Sequence, residues 1–194
     1  MNYDIEMNKI IDNLDYKPKL LLHSCCGPCS TTVIERLKDH FDITIIYYNP
    51  NIEPYEEYIK RKEEQIRLCN ILGVNIMDCD YDNESFKKMV LGKESEKEGG
   101  LRCFSCYELR LRKTAKLATN FDYFTTTLTV SPYKNSNKIN EIGLKLQEEY
   151  GVKYLVSDFK KKEGYKKSIE LSKKYNLYRQ NFCGCIYSKP TVNI

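Results

Sequence analysis

Seven of the nine cysteines in this 194-residue chain fall into three short groups. Thiolates spaced this closely can share a metal or exchange electrons. The first group, Ser24-Cys25-Cys26-Gly27-Pro28-Cys29-Ser30, directly follows the apolar run Leu20-Leu21-Leu22-His23. A strand that feeds a cysteine turn and then a helix places those thiols where α/β proteins build their sites, at the carboxyl end of a strand. The unpaired N–H groups of the following helix favour thiolate there. The second group, Arg102-Cys103-Phe104-Ser105-Cys106-Tyr107, is a Cys-x-x-Cys at the head of a helical stretch. Such a pair can chelate one metal, bind two corners of a cluster, or act as a redox dithiol. Together with Cys25 and Cys26 it offers four thiolates, enough for tetrahedral zinc or a four-iron cluster, and the spacing does not choose between them.

The third group is Arg179-Gln180-Asn181-Phe182-Cys183-Gly184-Cys185. Cys183 and Cys185 can close a small ring through a disulfide, and Gly184 permits the tight backbone this requires. Strain in so short a ring favours reduction and suits a catalytic pair better than a structural one, with metal ligation as the competing use. His23, just before the first group, is a candidate proton donor or ligand and equally a structural histidine; His40 reads as surface. Cys69 and Cys79 read as buried core thiols, Cys79 within a strand.

Short β-rich runs alternate with longer helical ones, the pattern of βαβ units around a parallel sheet. Strands are expected at Lys19–His23, Ile43–Tyr48, Asn75–Asp80, Tyr123–Thr127 and Tyr154–Ser157. Helices are expected at Ile5–Leu14, Ser30–His40, Pro54–Leu72, Glu84–Leu91, Phe104–Leu117, Asn137–Glu149 and Tyr165–Tyr175. Gly73 and Gly151 are placed as left-handed helix caps. In the helix after Pro54, Tyr55, Ile59, Ile66, Cys69 and Leu72 line up as its apolar face. The charged, glycine-bounded stretch from Gly92 to Gly100 reads as a mobile loop. The expected architecture is a single α/β domain over residues 1–194, with about five parallel strands and an N-terminal helical extension over the first sixteen or so residues.

Hydrophobic residues make up 41% of the chain and charged ones 30%, which suits a compact domain with a charged surface. No apolar run approaches the length of a membrane span, and Met1 to Asp15 lacks the apolar core of a signal peptide. A cytoplasmic location is therefore expected, and with it cysteines kept as thiols, metal ligands or catalytic groups. The net charge of +4 permits a nucleic-acid partner without requiring one. Between Lys160 and Arg179 eight basic residues face two glutamates.

The chain resembles the QueH-type epoxyqueuosine reductases. The resemblance is carried by Leu22-His23-Ser24-Cys25-Cys26-Gly27-Pro28-Cys29, Tyr47-Tyr48-Asn49-Pro50-Asn51-Ile52, Glu56-Glu57-Tyr58 and Arg102-Cys103-Phe104-Ser105-Cys106-Tyr107. It continues through Thr125-Thr126-Thr127-Leu128-Thr129-Val130-Ser131-Pro132-Tyr133-Lys134 and Tyr178-Arg179-Gln180-Asn181-Phe182-Cys183-Gly184-Cys185. It implies a HUP or PP-loop-like fold whose nucleotide-binding loop is replaced by a cysteine-rich turn. The implied reaction is the two-electron reductive deoxygenation of epoxyqueuosine at the tRNA wobble position to queuosine, the last step of queuosine biosynthesis. The implied cofactor is a [4Fe-4S] cluster on Cys25, Cys26, Cys103 and Cys106. Cys29 is an additional candidate ligand, with room for a second, mononuclear metal beside the cluster. A redox-active disulfide between Cys183 and Cys185 is implied as well, along with an unidentified electron donor and no membrane partner. The segment from Asp158 to Ser168 has less arginine and aromatic character than the family pattern.

A tRNA partner gives the basic segments a use. Arg102, Arg110, Arg112, Lys113 and Lys116, balanced nearby by Glu108, and the Lys160–Arg179 segment are expected to contact phosphates, with strong salt dependence. Arg102, Arg110 and Arg179, with Tyr48, Tyr107, Tyr133 and Tyr178, are the candidate substrate-binding residues, the tyrosines by stacking on unpaired bases. Two other functions compete. An ATP-dependent iron–sulfur tRNA thiolase would need a glycine-serine-rich phosphate turn after the first strand, where this chain has Ser24-Cys25-Cys26-Gly27-Pro28. A zinc-stabilised RNA-binding module would need only the thiols.

Overall fold

The computed structural model describes residues 1–188. Five strands form one parallel sheet: β1 (Lys19–His23), β2 (Asp42–Ile46), β3 (Asn75–Met77), β4 (Tyr123–Thr126) and β5 (Lys153–Tyr154), in the order β3-β2-β1-β4-β5. The helices are α1 (Tyr3–Asp12), α2 (Gly27–Leu37), α3 (Tyr55–Leu72), α4 (Asn83–Val90), α5 (Leu101–Leu117), α6 (Ser136–Tyr150) and α7 (Gly164–Lys174). The expected single α/β domain with a five-stranded parallel sheet is what is found. No helix among the described residues is long and apolar enough to cross a membrane.

β1 is central, paired with β2 on one edge and β4 on the other, which explains its unbroken apolar run. Leu20 and Leu22 point to one face of the sheet, where they pack with Val33, Ile34 and Leu37 of α2 and Met7 of α1. Leu21 points to the other face, against Leu111 and Ala115 of α5 and Ile142 and Leu146 of α6. Strand order reverses direction at β1, because the chain leaves by β2 and later returns to pair β4 on the opposite side. The crevice between the carboxyl ends of β1 and β4 is therefore the switch point where α/β sheets bind ligands.

Two expectations are corrected. The buried face of α3 consists of Tyr58, Arg61, Gln65, Leu68 and Cys69, while Tyr55 and Ile66 are exposed. Two polar residues hold core positions there because both serve the cysteine-bearing segments, as shown below. Cys79 is buried but lies beyond β3, which ends at Met77. The stretch from Gly92 to Gly100 is organised around one side chain: the Arg102 guanidinium donates to the carbonyl oxygens of Lys93 (3.3 Å), Glu94 (2.9 Å) and Glu96. Gly73 and Gly151 do cap α3 and α6 in the left-handed region, at φ of 64° and 71°.

Candidate metal centre and its thiol hook

The chain leaves β1 at Ser24, and Cys26 takes the position before the first turn of α2, which contains Pro28 and Cys29. Proline is accommodated there because its missing N–H would have had no helical partner. This local geometry brings the sulfurs of Cys25, Cys26 and Cys29 within 4.8 Å of one another. Among the described residues they are the one such group of three or more His, Cys, Asp or Glu ligand atoms. Sulfur–sulfur hydrogen bonding with Cys26 and Cys29 holds Cys25 well below the usual thiol range. The same bonding pushes Cys26 up to about 11 and raises Cys29. One thiolate forms readily in this group and the next two protons are harder to remove.

The turn is held from two sides. Across the crevice, Thr127, which follows β4, accepts the Cys25 N–H at 3.0 Å and donates its hydroxyl to the Cys25 sulfur at 3.2 Å. Beneath, the Gln65 side-chain oxygen accepts from the hydroxyls of Ser24 (2.6 Å) and Ser30 (2.9 Å), and Asn49 Nδ2 donates to the Ser24 carbonyl at 2.9 Å. His23 is fully buried, with Nδ1 2.8 Å from Thr126 Oγ1 and Nε2 3.0 Å from the Tyr48 carbonyl. Burial lowers its pKa to about 3, so it is neutral and locked in place, a structural histidine rather than a proton donor near neutral pH.

Cys103 and Cys106 stand three residues apart on α5, on one helix face. Cys103 is half-buried and accepts the Gly99 N–H at 3.2 Å. Cys106 is buried, chiefly for that reason pushed up to about 12, and packs with Phe86, Val90 and Cys185. All nine cysteines are free thiols. Cys183 and Cys185 flank Gly184 in a hook that joins α5 through a small cluster of Cys185 with Cys106, Phe86 and Val90.

Two cations link the three cysteine groups. Arg110 is buried, and burial works against its charge, but the thiols of Cys106, Cys25 and Cys183 outweigh that cost and raise its pKa. Burial likewise opposes the half-buried Lys134 ammonium, and Cys183, Cys25 and Cys29 again reverse the balance. Arg110 also donates to Asn49 Oδ1, which ties it to the Ser24 turn. Sequence reasoning passed over Thr127, Lys134, Asn49 and Gln65, although three of them lie in the blocks that carry the resemblance. Their polar character beside the cysteine segments was the available signal.

The other candidate residues are dispersed. Tyr48 and Tyr107 are buried, so neither ring offers a stacking face to solvent, and the Tyr48 hydroxyl donates to Asp82 at 2.9 Å. Tyr133 is 80% exposed. Tyr178 is half-buried, with its hydroxyl 3.1 Å from Glu57 Oε1. Arg102 and Arg110 are buried, which removes them from any exposed phosphate-binding face. Arg112 is paired with both Glu108 and Glu149, so the balance of α5 is less positive than its own sequence suggests. Arg179 is half-buried over the Tyr165 ring, 5.4 Å from its centroid.

Residues 20–191 match the family described as "Epoxyqueuosine reductase QueH". The chain belongs to that family. A QueH of Staphylococcus epidermidis is 44% identical over 201 residues, covering 97% of this chain and 84% of the relative. A QueH of Streptococcus pyogenes is 41% identical over 205 residues, covering 100% of this chain and 80% of the relative. Among solved structures, the U34-tRNA thiolase NcsA from Methanococcus maripaludis with its [4Fe-4S] cluster superposes with a TM-score of 0.58. That alignment covers 97% of this chain and 68% of the thiolase at 13% identity, so it shows a shared fold and no more. The donor set itself, three soft sulfur ligands at a switch point faced by two cations that offset thiolate charge, fits a thiolate-bound metal cluster.

Proposed function

We propose that this protein is an epoxyqueuosine reductase that removes the epoxide oxygen of epoxyqueuosine in the tRNA anticodon to give queuosine. The observation that carries the reading is the thiol trio Cys25, Cys26 and Cys29 at the β1–β4 switch point, in a chain of the QueH family. In this reading Cys25, Cys26, Cys103 and Cys106 hold a [4Fe-4S] cluster, and Cys29 serves a second, mononuclear metal or shares the same centre. Once bound, such a centre supplies Lewis-acid polarisation and single-electron transfer.

Cys183 and Cys185 supply the electron pair. Their two thiols become one disulfide, releasing two electrons and two protons. The epoxide takes up both, its two C–O bonds break, the oxygen leaves as water, and the two carbons become a double bond. A further two-electron reductant then returns the pair to thiols. Arg110 and Lys134 keep the site cationic, which favours anionic thiolates and a departing oxyanion.

The tRNA contacts belong to Lys113 and Lys116 of α5 and Lys173 and Lys174 of α7, which form no ion pair among the described residues, together with the half-buried Arg179. Tyr133, the most exposed of the candidate rings, stacks on an unpaired base. Binding then weakens steeply with salt, and an affinity flat from low to moderate salt would remove this part of the reading.

The deciding experiment is anaerobic purification with iron and sulfide quantification, followed by an assay on epoxyqueuosine-bearing tRNA. Brown protein that converts the epoxide to the alkene is the expected result. Colourless zinc protein without turnover would sink the reading.

A further inference from the structure

The C-terminal hook is tied to α3 by a row of side chains one helical turn apart. Arg67 donates to the carbonyls of Tyr175 (3.1 Å) and Asn176 (2.7 Å), and Glu64 accepts the Tyr178 N–H at 2.7 Å. The Lys60 ammonium lies 3.5 Å from the Tyr178 ring centroid, and Glu57 accepts the Tyr178 hydroxyl. The row ends at Arg61, which is 2% exposed. Its Nη1 donates to the Cys183 carbonyl at 3.1 Å and Nη2 reaches the Phe182 carbonyl at 3.5 Å. Its guanidinium carbon lies 4.9 Å from the Phe182 ring centroid, and Nε is fixed by Glu57 Oε1 at 2.6 Å.

A buried charge is costly unless fully paired, and a pair serving stability alone is often no better than an apolar one. Here the guanidinium spends its fork on two successive carbonyls of the thiol-bearing segment, a geometry that lysine cannot reproduce. From the other side, the Glu53 N–H donates to the Gly184 carbonyl at 2.9 Å. Gly184 has φ of 111°, and a Cβ there would stand 2.9 Å from Ile52 Cγ1 and 3.0 Å from Arg61 Nη1. The hook thus approaches Arg61 as closely as glycine alone allows, while Cys185 packs in one cluster with Cys106, Phe86 and Val90.

We propose that Arg61 is the positioning residue of the Cys183–Cys185 pair, clamping its backbone so that both thiols face the α5 cysteines. The proposal rests on the reductase reading for the use made of the thiols, but the clamp is measurable without it. The test compares Arg61→Met, Arg61→Lys and Gly184→Ala with the parent protein, metal-loaded and anaerobic. Iodoacetamide alkylation of each cysteine is followed by mass spectrometry, beside kcat and KM on epoxyqueuosine-bearing tRNA.

Arg61→Met and Gly184→Ala are expected to speed alkylation of Cys183 and Cys185 about tenfold, with buried Cys69 unchanged. They should lower kcat by about 10- to 100-fold, the cost of a displacement of about an ångström, with KM and iron content kept. Arg61→Lys should fall between. Unchanged alkylation in both perturbing variants overturns the proposal, as does a kcat loss that merely tracks iron loss. If Arg61→Met fails to fold, Gly184→Ala, which leaves Arg61 in place, decides alone. If the parent itself does not turn over, the reductase reading fails while the alkylation rates still decide the clamp.

Discussion

Thr127 and Cys25 meet across the β1–β4 crevice through two hydrogen bonds, the Thr127 hydroxyl accepting the Cys25 N–H and donating to the Cys25 sulfur. One hydroxyl therefore sets both the backbone and the side chain of the thiol that ionises first. Thr127→Val keeps the shape and removes both bonds. It should cost the metal-free protein about 1–3 kcal/mol, because a buried N–H loses its partner. Metal affinity should fall by about 10- to 100-fold, as for other groups that orient a ligand. Urea unfolding and competition with a chelator measure the two effects, and Thr127→Ser should restore both. A valine variant that holds metal as tightly as the parent would show that Cys25 orients itself.

Arg110 sits one turn beyond Cys106 and reaches the first cysteine turn through Asn49, whose Nδ2 donates to the Ser24 carbonyl at 2.9 Å. Arg110→Met keeps most of the side-chain length and deletes the charge. A reduced metal centre carries more negative charge than an oxidised one, so losing a neighbouring cation penalises reduction. The midpoint potential of the loaded protein is expected to move to more negative values in a potentiometric titration. An unmoved potential would place Arg110 outside the electrostatics of the centre.

Glu64 gives a pH dependence with a definite sign. Hydrogen bonds from Arg67, then from the Tyr178 N–H, hold its carboxyl below the ordinary value of 4.5 against an opposing contribution from burial. A depressed carboxylate stabilises the fold fully above its unfolded pKa, and that stabilisation fades as pH falls through the folded value. Glu64→Gln should therefore cost about 1 kcal/mol at neutral pH, discounted for its partial exposure. The gap between variant and parent should close in acid below the ordinary glutamate range. Urea titrations at the two extremes would show it, and a gap that does not change with pH would assign the contact to shape rather than charge.

The sheet was legible wherever the chain solves its own hydrogen bonding. The apolar run of Lys19–His23 predicts a strand, and β1 has those bounds. Errors fall where a side chain replaces a backbone partner. The sequence pattern predicts a last strand running to Ser157, whereas β5 ends at Tyr154. Beyond it, Asn140 accepts the Ser157 N–H and donates to its carbonyl, both at 2.8 Å, in place of a neighbouring strand. The helix expected from Ser30 begins at Gly27, which moves Cys29 into the first turn and toward Cys25 and Cys26. The role of Arg61 was invisible for a different reason. On α3 an apolar stripe predicts the buried face, and an arginine that is buried to hold a segment more than a hundred residues away leaves no local trace.

Cys29 decides how the thiols are divided. Its sulfur stands within 4.8 Å of those of Cys25 and Cys26, whereas Cys103 and Cys106 stand on a separate helix, outside that group. Ligands already close in the apoprotein contribute most to binding, since little ordering remains to be done when metal arrives. Cys29→Ser should therefore lower bound metal as much as Cys25→Ser, and more than Cys103→Ser. If Cys29 serves a second metal beside a cluster on the other four, the variant loses metal but keeps the cluster's sulfide and visible spectrum. If it shares a single centre, iron, sulfide and colour fall together. Metal and sulfide analysis of the three variants separates these outcomes. Full retention of both by Cys29→Ser would exclude it as a ligand despite its position.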